Sequence, residues 1–283
     1  VYKRQPDCYL PNNGGYHDDS IDIQINVTYW MQDLQQVDAP GEGTTTVMSA
    51  RVKLTDVSQF RTGFANKYPS KQARHVNDMT KRFNAVMGID GDYCLYHEQG
   101  IVVRNGQTLR MRPHKGRDEL IVDENGDFHL ITCTTQAKWD EYIAGGGTVL
   151  HAFCFGPALV VDGVPLTSLD DVTIDNGKAK KAQRMVIGQI GKLEYLILTN
   201  EGPESTAPKS VGFDLVQTAN LCVQFGLDNA YNLDGGSSST IALNNQKINS
   251  PSSHKNRMVG DCIWFATLVK EETWRETQGT ENQ

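Results

Sequence analysis

The stretch Asn229–Leu243, NAYNLDGGSSSTIAL, sets one carboxylate, Asp234, between two apolar runs and follows it with two glycines, three serines and a threonine. An acid at the end of a strand is held at the edge of a sheet. Gly235 and Gly236 permit positive φ or let a ligand approach the backbone. Successive N–H groups in such a turn can form an anion-binding concavity, and Ser237 and Ser238 add donors. The chemistry on offer is acid–base or nucleophilic work beside a phosphate or a sugar hydroxyl. A tight turn whose serines bond their own backbone is the purely structural reading.

Two other places put acids at strand ends. MGIDGDYC (Met87–Cys94) ends an apolar run in Asp90, followed by Gly, and an extended backbone would point Asp90 and Asp92 to one side. RMVIGQIGKLEYLILT (Arg184–Thr199) reads as a long hairpin that leads to Glu201. A two-residue turn at Gly191-Lys192 would set Arg184 opposite Thr199 and make Arg184 and Glu201 diagonal neighbours. That pair is either a cross-strand ion pair or an acid oriented by an arginine.

Several familiar motifs are excluded. Ser239 occupies the last glycine position of a Gly-x-Ser-x-Gly elbow, and GGGT (Gly145–Thr148) lacks the lysine of a phosphate-binding loop. A calcium loop starting at Asp90 would need Glu where Ile101 stands, and one starting at Asp123 would need Gly where Phe128 stands. The six cysteines, Cys8, Cys94, Cys133, Cys154, Cys222 and Cys262, form no Cys-x-x-Cys pair. Most sit beside apolar or β-prone residues, as buried free thiols do, with one disulfide left open.

These residues need a scaffold, and hairpin signals dominate it. Asn105-Gly106, Asn125-Gly126 and Asp162-Gly163 each stand between β-prone runs. Helical patterns are fewer: Val76–Met87, Ala137–Gly146 and, most clearly, GFDLVQTANLCVQFGL, whose Leu215, Ala219, Cys222 and Phe225 form one stripe with Gly226 as a C-terminal cap. The expected fold class is α+β, with β-rich mixed sheets, hairpins and a few packed helices. Residues 1–46 read as an N-terminal extension or first strands, and the first dozen carry little structural weight. Residues 47–270 read as the main domain, and 271–283 as a frayed acidic tail.

At 283 residues the chain can bury a large core. Its net charge of −7 and pI near 5.5 argue against nucleic acid as a partner. The basic run KAKKAQR (Lys178–Arg184) reads as a solvated loop before a strand. No run of 18 apolar residues is present to span a membrane. The chain opens on Val1, so the lack of a targeting segment carries no information.

In this order, five segments resemble the phosphodiester glycosidase family over about residues 47–265. NAVMGIDGDY resembles its Asn-Ala…Asn-Gly segment and FGPALVVDGV its Phe-Gly-Pro-x-Leu strand. RMVIGQIGKLEYLILTNEG resembles its Arg-Thr-Ala-Ile-Gly hairpin ending in Asp-Gly, and NRMVGDCIWF its closing Arg-x-Val strand. NAYNLDGGSSST is similar to Asn-Leu-Asp-Gly-Gly-Gly-Ser-Ser, the most specific element. There are departures: Asp90 stands where the family usually has Asn, Glu201 where it has Asp, Pro203 where Arg or Gln is common, and Ser237 in place of the third glycine.

The resemblance implies a hydrolase that removes an α-linked N-acetylhexosamine, N-acetylglucosamine by analogy, from a sugar-1-phosphodiester. It implies Asp234 and Glu201 as the acid/base or nucleophile pair, with Asp90 orienting or substituting. Arg184 and Arg257 stand at motif positions where a guanidinium fork can hold a phosphodiester oxygen. Asp92, Gly235, Gly236, Ser237 and Ser238 complete the substrate-binding set. No cofactor is required, though calcium support is compatible; the partner is a glycan phosphodiester, and the location extracytoplasmic. Two alternatives stand beside this: a non-catalytic carbohydrate-binding or polysaccharide-assembly protein, and a metal-dependent phosphodiesterase cutting P–O. The latter wants clustered His and Asp ligands, and the seven histidines show no such spacing.

Overall fold

Asn105-Gly106 and Asp162-Gly163 close two hairpins with both central residues at positive φ, the twist that matches paired strands. Asn125-Gly126 closes the third, between Glu119–Val122 and Phe128–Ile131. The structure, a computed structural model, describes residues 2–170, 180–203, 205, 209–249 and 256–270. The expected tail at 271–283 and part of the basic run at 178–184 lie outside the described residues.

The described residues form three sheets of ten, five and five strands, and every strand pairing among them is antiparallel. The fold is α+β and β-rich. The long hairpin, Arg184–Gly191 with Glu194–Asn200, is central to the largest sheet, flanked by Asn229–Asn232 and Thr45–Leu54. In the second sheet Met87–Asp90 runs between Ile241–Leu243 and Asp261–Phe265. The third carries Gly100–Arg104, Gln107–Arg112 and His151–Phe153 beside the Asn125-Gly126 hairpin.

One buried cluster joins all three sheets: Ile187, Tyr195 and Ile197 from the first, Ile89, Ile263 and Phe265 from the second, Leu120, Val122 and Phe153 from the third. Phe60 is at its centre, edge-on to Tyr195 at 5.1 Å and to Phe265 at 5.5 Å. Side chains of this size each contribute about 1.5–3 kcal/mol on burial, so the shared core fixes the sheets against one another.

Among the described residues three α-helices cover outer faces: α1 (Val76–Phe83), α2 (Gln136–Ala144) and α3 (Leu215–Gln224). Leu215, Ala219 and Cys222 of α3 pack on the largest sheet. Asp214 and Gln217 cap its start reciprocally. Gly226, at φ +78°, ends it with paired bonds, Gly226 N–H to the Val223 carbonyl and Leu227 N–H to that of Cys222. The helix expected to run to Met87 is shorter, because Asn84 turns left-handed and Met87 already belongs to a strand.

Two expectations are corrected. The first dozen residues are tied down: Arg4 donates to the Ala85 carbonyl at 3.2 Å, Tyr9 to that of Val86 at 3.1 Å, and Tyr9–Leu10 extends the largest sheet. The long hairpin turns one residue later than expected, at Lys192-Leu193, because Ile190 bulges out and Leu193 takes φ +53°. Arg184 therefore pairs with Asn200, not Thr199. A one-residue slip reverses which face each side chain takes, so Arg184 and Glu201 face opposite sides of the sheet.

Candidate active site

Asp90 ends the strand Met87–Asp90, Glu201 follows Glu194–Asn200, and Asp234 lies just beyond Asn229–Asn232. The three strand ends are stitched together by backbone and amide hydrogen bonds. Asp234 N–H donates to the Gly91 carbonyl at 3.2 Å, and Gly236 N–H to that of Gln183 at 2.9 Å. The Gln183 side-chain amide in turn donates to Glu201 Oε2 at 2.9 Å. With the corrected register it is Gln183, not Arg184, that orients Glu201. A Cβ on Gly235 would stand 2.8 Å from the Gln183 carbonyl oxygen, so the turn lies this close only with glycine there.

The serine turn works differently from an anion-binding nest. Its N–H groups at Gly236, Ser238 and Ser239 are engaged by carbonyls of Gln183, Gly235 and Gly236. Thr240 N–H donates to Asp90 Oδ1 at 2.8 Å. What the turn has left for a ligand is hydroxyls. Asp90 Oδ2, Asp234 Oδ2, Asn232 Oδ1 and Ser239 Oγ are buried without a hydrogen-bond partner among the described residues, while the Ser238 hydroxyl lies against the Asp234 carboxyl. Buried polar atoms in a folded protein are mostly paired, so atoms left over on the two acids and on the segment that follows Asn232 are open to a ligand.

Burial pushes the Asp90 carboxyl well above the usual range, and the Asp234 charge adds to the rise against Thr240 N–H and Lys247. Burial also lifts Asp234, to about 6, with the Ser238 hydroxyl and Arg257 limiting the rise. Two neighbouring carboxyls with perturbed protonation are the arrangement acid–base catalysis uses. Lys247, which sequence reasoning missed, donates to the Ser239 carbonyl at 3.2 Å and to Thr240 Oγ1 at 3.1 Å. Burial lowers its pKa to about 8, opposed by the charges of Asp90 and Glu201.

The two arginines part company. Arg257 is exposed, stacks over the Tyr93 ring at 5.3 Å and exerts its charge on Asp234. Arg184 is buried and donates to the Phe213 and Lys180 carbonyls at 3.2 and 2.6 Å. Ser237 is half-exposed at the lip of the turn.

Asp92 turns away from Asp90, since the strand ends at Asp90. Its Oδ1 accepts from Arg104 at 3.1 Å and from Cys94 N–H at 3.2 Å; its Oδ2 accepts from Cys154 N–H at 2.9 Å. Arg104 also reaches Asp261 at 3.2 Å, and its guanidinium lies over Phe153 at 4.4 Å. Burial works against charge on Asp92, but Arg104 and the N–H donors prevail and hold its pKa well below the usual range. Asp261 moves up instead, through burial and the Asp92 charge. Among the described residues, Asp92, Cys94 and Asp261 form the one group spaced to hold a metal ion. Arg104 already supplies a cation there, and two carboxylates with a thiol are not the six to eight oxygens that calcium takes. Arg104 and Asp261 were not singled out in the sequence, where nothing beyond a Gly-Asp pair shared with the Asp92 segment marks Asp261.

The phosphodiester glycosidase family profile matches residues 83–266, and all five resembling segments fall within that span. The chain belongs to this family. Among solved structures, the catalytic domain of zebrafish N-acetylglucosamine-1-phosphodiester alpha-N-acetylglucosaminidase, auto-inhibited by pro-peptide, superposes with a TM-score of 0.66 at 14% identity, covering 94% of this chain and 88% of that one. A hypothetical protein from Synechocystis gives 0.58 at 13%, over 88% and 62% of the two chains. A Burkholderia pseudomallei K96243 protein described as exported gives 0.55 at 15%, over 81% and 75%. No curated protein sequence matches. At these identities the structures establish a shared fold, while the glycosidase family profile spans every acid of the cluster. Among the described residues, no helix of this glycosidase-family chain is long and apolar enough to cross a membrane.

Proposed function

We propose that this phosphodiester glycosidase family member hydrolyses the C1–O bond of an α-linked N-acetylhexosamine 1-phosphodiester, N-acetylglucosamine in the first instance, leaving a phosphomonoester. The observation that carries the reading is the Asp90–Asp234 pair, buried, electrostatically coupled and each with an unpartnered oxygen, inside the family-matched segment.

The site suits an anionic substrate. Asp90, its carboxyl pKa raised by burial and by the Asp234 charge, holds a proton more readily than an ordinary carboxyl and so repels phosphate less. Asp234 is ionised above about pH 6 and serves as base or nucleophile at the anomeric carbon. Glu201, oriented by Gln183, is the second carboxylate of the working pair. Arg257 holds a phosphate oxygen and stabilises the charge that builds on the leaving group, worth on the order of 2.7–4 kcal/mol for one such donor. Phosphate leaves readily by itself, so the step draws more on this charge stabilisation than on protonation. No cofactor enters it. An extracytoplasmic location goes with a glycan-phosphate substrate and with a structural relative described as exported.

Incubation with an α-N-acetylglucosamine-1-phospho-mannoside is the test. Free N-acetylglucosamine with a phosphomonoester, lost in Asp234→Asn, is the expected result. No release from a panel of hexosyl phosphodiesters would sink the reading.

A further inference from the structure

Beside the acid cluster lies a cavity of about 560 Å³, of ligand-pocket size. One wall is the segment 94–98, the other the strand Gln107–Arg112, and Tyr68–Lys71 closes the end. The cavity is built rather than incidental. Arg110 donates to the carbonyls of Cys94, His97, Gln99 and Gly100 at 2.6–3.1 Å, which fixes the whole 94–100 segment on one guanidinium. Tyr96 OH ties the segment across to the Lys71 carbonyl at 3.1 Å.

An aromatic step joins the cavity to the candidate site. Arg257, beside Asp234, stacks on Tyr93, and Tyr93 stacks on Tyr96 at 4.5 Å between ring centres. Tyr96 lines the cavity. Its hydroxyl responds first to burial and Tyr93, then to the charges of Arg257, Asp261 and Asp234, so the cavity mouth lies within electrostatic reach of the acids.

The sign of the charge identifies an occupant. The whole chain carries −7, yet the lining residues include Lys71, Arg110 and Arg112 against one carboxylate, Glu98. Glu98 neutralises little: it is 3.9 Å from Arg112, with both side chains largely exposed. Arg110 is satisfied by carbonyls, so its charge is uncompensated by them. His97 is kept neutral chiefly by burial.

We propose that this groove is the subsite for the glycan chain beyond the scissile phosphate, and that it selects a chain carrying at least one further anionic group, such as a second phosphodiester. Tyr96, which lines the cavity and is backed by Tyr93, offers a stacking surface for the sugar next to the phosphate. Lys71 and Arg112 meet the next negative charge. The inference rests on the proposed activity for its reaction and on the groove alone for its ligand.

The probes are the methyl phosphodiester of α-N-acetylglucosamine 1-phosphate and a trimer of N-acetylglucosamine 1-phosphate units joined by phosphodiesters. The variant is Lys71→Glu/Arg112→Glu, both exposed positions outside the acid cluster. KM for the trimer is expected to rise about tenfold or more in the variant, while the methyl ester changes less than about twofold. The wild-type preference for the trimer is expected to shrink in 0.5 M salt, as exposed charges are screened. Equal changes on both substrates, or none on either, would overturn the subsite. If the wild type cleaves neither probe, the proposed activity fails, and calorimetric binding of the trimer still decides the groove. Binding weakened about tenfold in the variant supports it; no wild-type binding, or binding unaltered by the variant, refutes it.

Discussion

Asp90 and Asp92 are two residues apart, both fully buried, and lead opposite lives. Asp92 has both carboxylate oxygens engaged, by Arg104, Cys94 and Cys154, and its pKa is low. Asp90 makes one bond to Thr240 N–H, keeps Oδ2 unpartnered, and its pKa is high. Asp261 and Asp234 differ in pairing but not in the direction of their pKa: Asp261 is paired with Arg104 and Asp234 has Oδ2 left over, while burial raises both. Burial is common to all four. What differs is whether the fold has already used the carboxylate. A satisfied acid holds structure; on the proposed reading, an unsatisfied one beside other unsatisfied polar atoms is kept for a ligand.

Substitution and pH outcomes sharpen that contrast. Asp234→Asn is expected to lower kcat by about 10⁴-fold, the upper range for a positioned acid or base, measured on the phosphomannoside. Arg104→Met is expected to destabilise the fold by about 3–5 kcal/mol in chemical denaturation, because Asp92 and Asp261 lose the cation between them. Adding Asp92→Asn and Asp261→Asn should restore most of that loss. If Arg104→Met leaves stability intact, the two acid clusters are not different in kind.

Asp234→Asn should also stabilise. The folded pKa of about 6 lies above the ordinary 3.8, so the folded state binds this proton more tightly than the unfolded one. Ionisation therefore costs stability, fully above about pH 6 and not at all below about pH 4. Asparagine escapes that cost, a gain of about 2–3 kcal/mol at pH 8 that vanishes at pH 4 in denaturant titrations. The smallest effect is on the pH profile. kcat/KM should climb through about pH 6 as Asp234 ionises and fall through about pH 8 as Lys247 loses its charge. Lys247→Met should lower the plateau about tenfold and abolish the alkaline limb; an unchanged limb would remove Lys247 from the site.

Legibility followed the range of the interaction. The hairpins at Asn105-Gly106 and Asp162-Gly163 and the Gly226 cap are local, and residue type alone prescribes them. The bulge at Ile190 is not, since no residue there demands positive φ, and that one extra residue moved Arg184 to the other face. The strand-end positions of Asp234, Asp90 and Glu201 were readable because each follows a β-prone run. Lys247 and Arg104 were not, because their roles depend on strands that meet only in the folded sheets. Arg104 reaches Asp261 across 157 positions of sequence, and no local pattern records that.

The most direct test of the account is which bond breaks. Hydrolysis of the α-N-acetylglucosamine-1-phospho-mannoside in ¹⁸O-labelled water, with the phosphomonoester product read by mass spectrometry, separates the possibilities. Attack at the anomeric carbon beside Asp234 predicts a phosphomonoester without label. Label in the phosphate would mean P–O cleavage and would contradict the assignment of the Asp90–Asp234 pair to glycosidic chemistry.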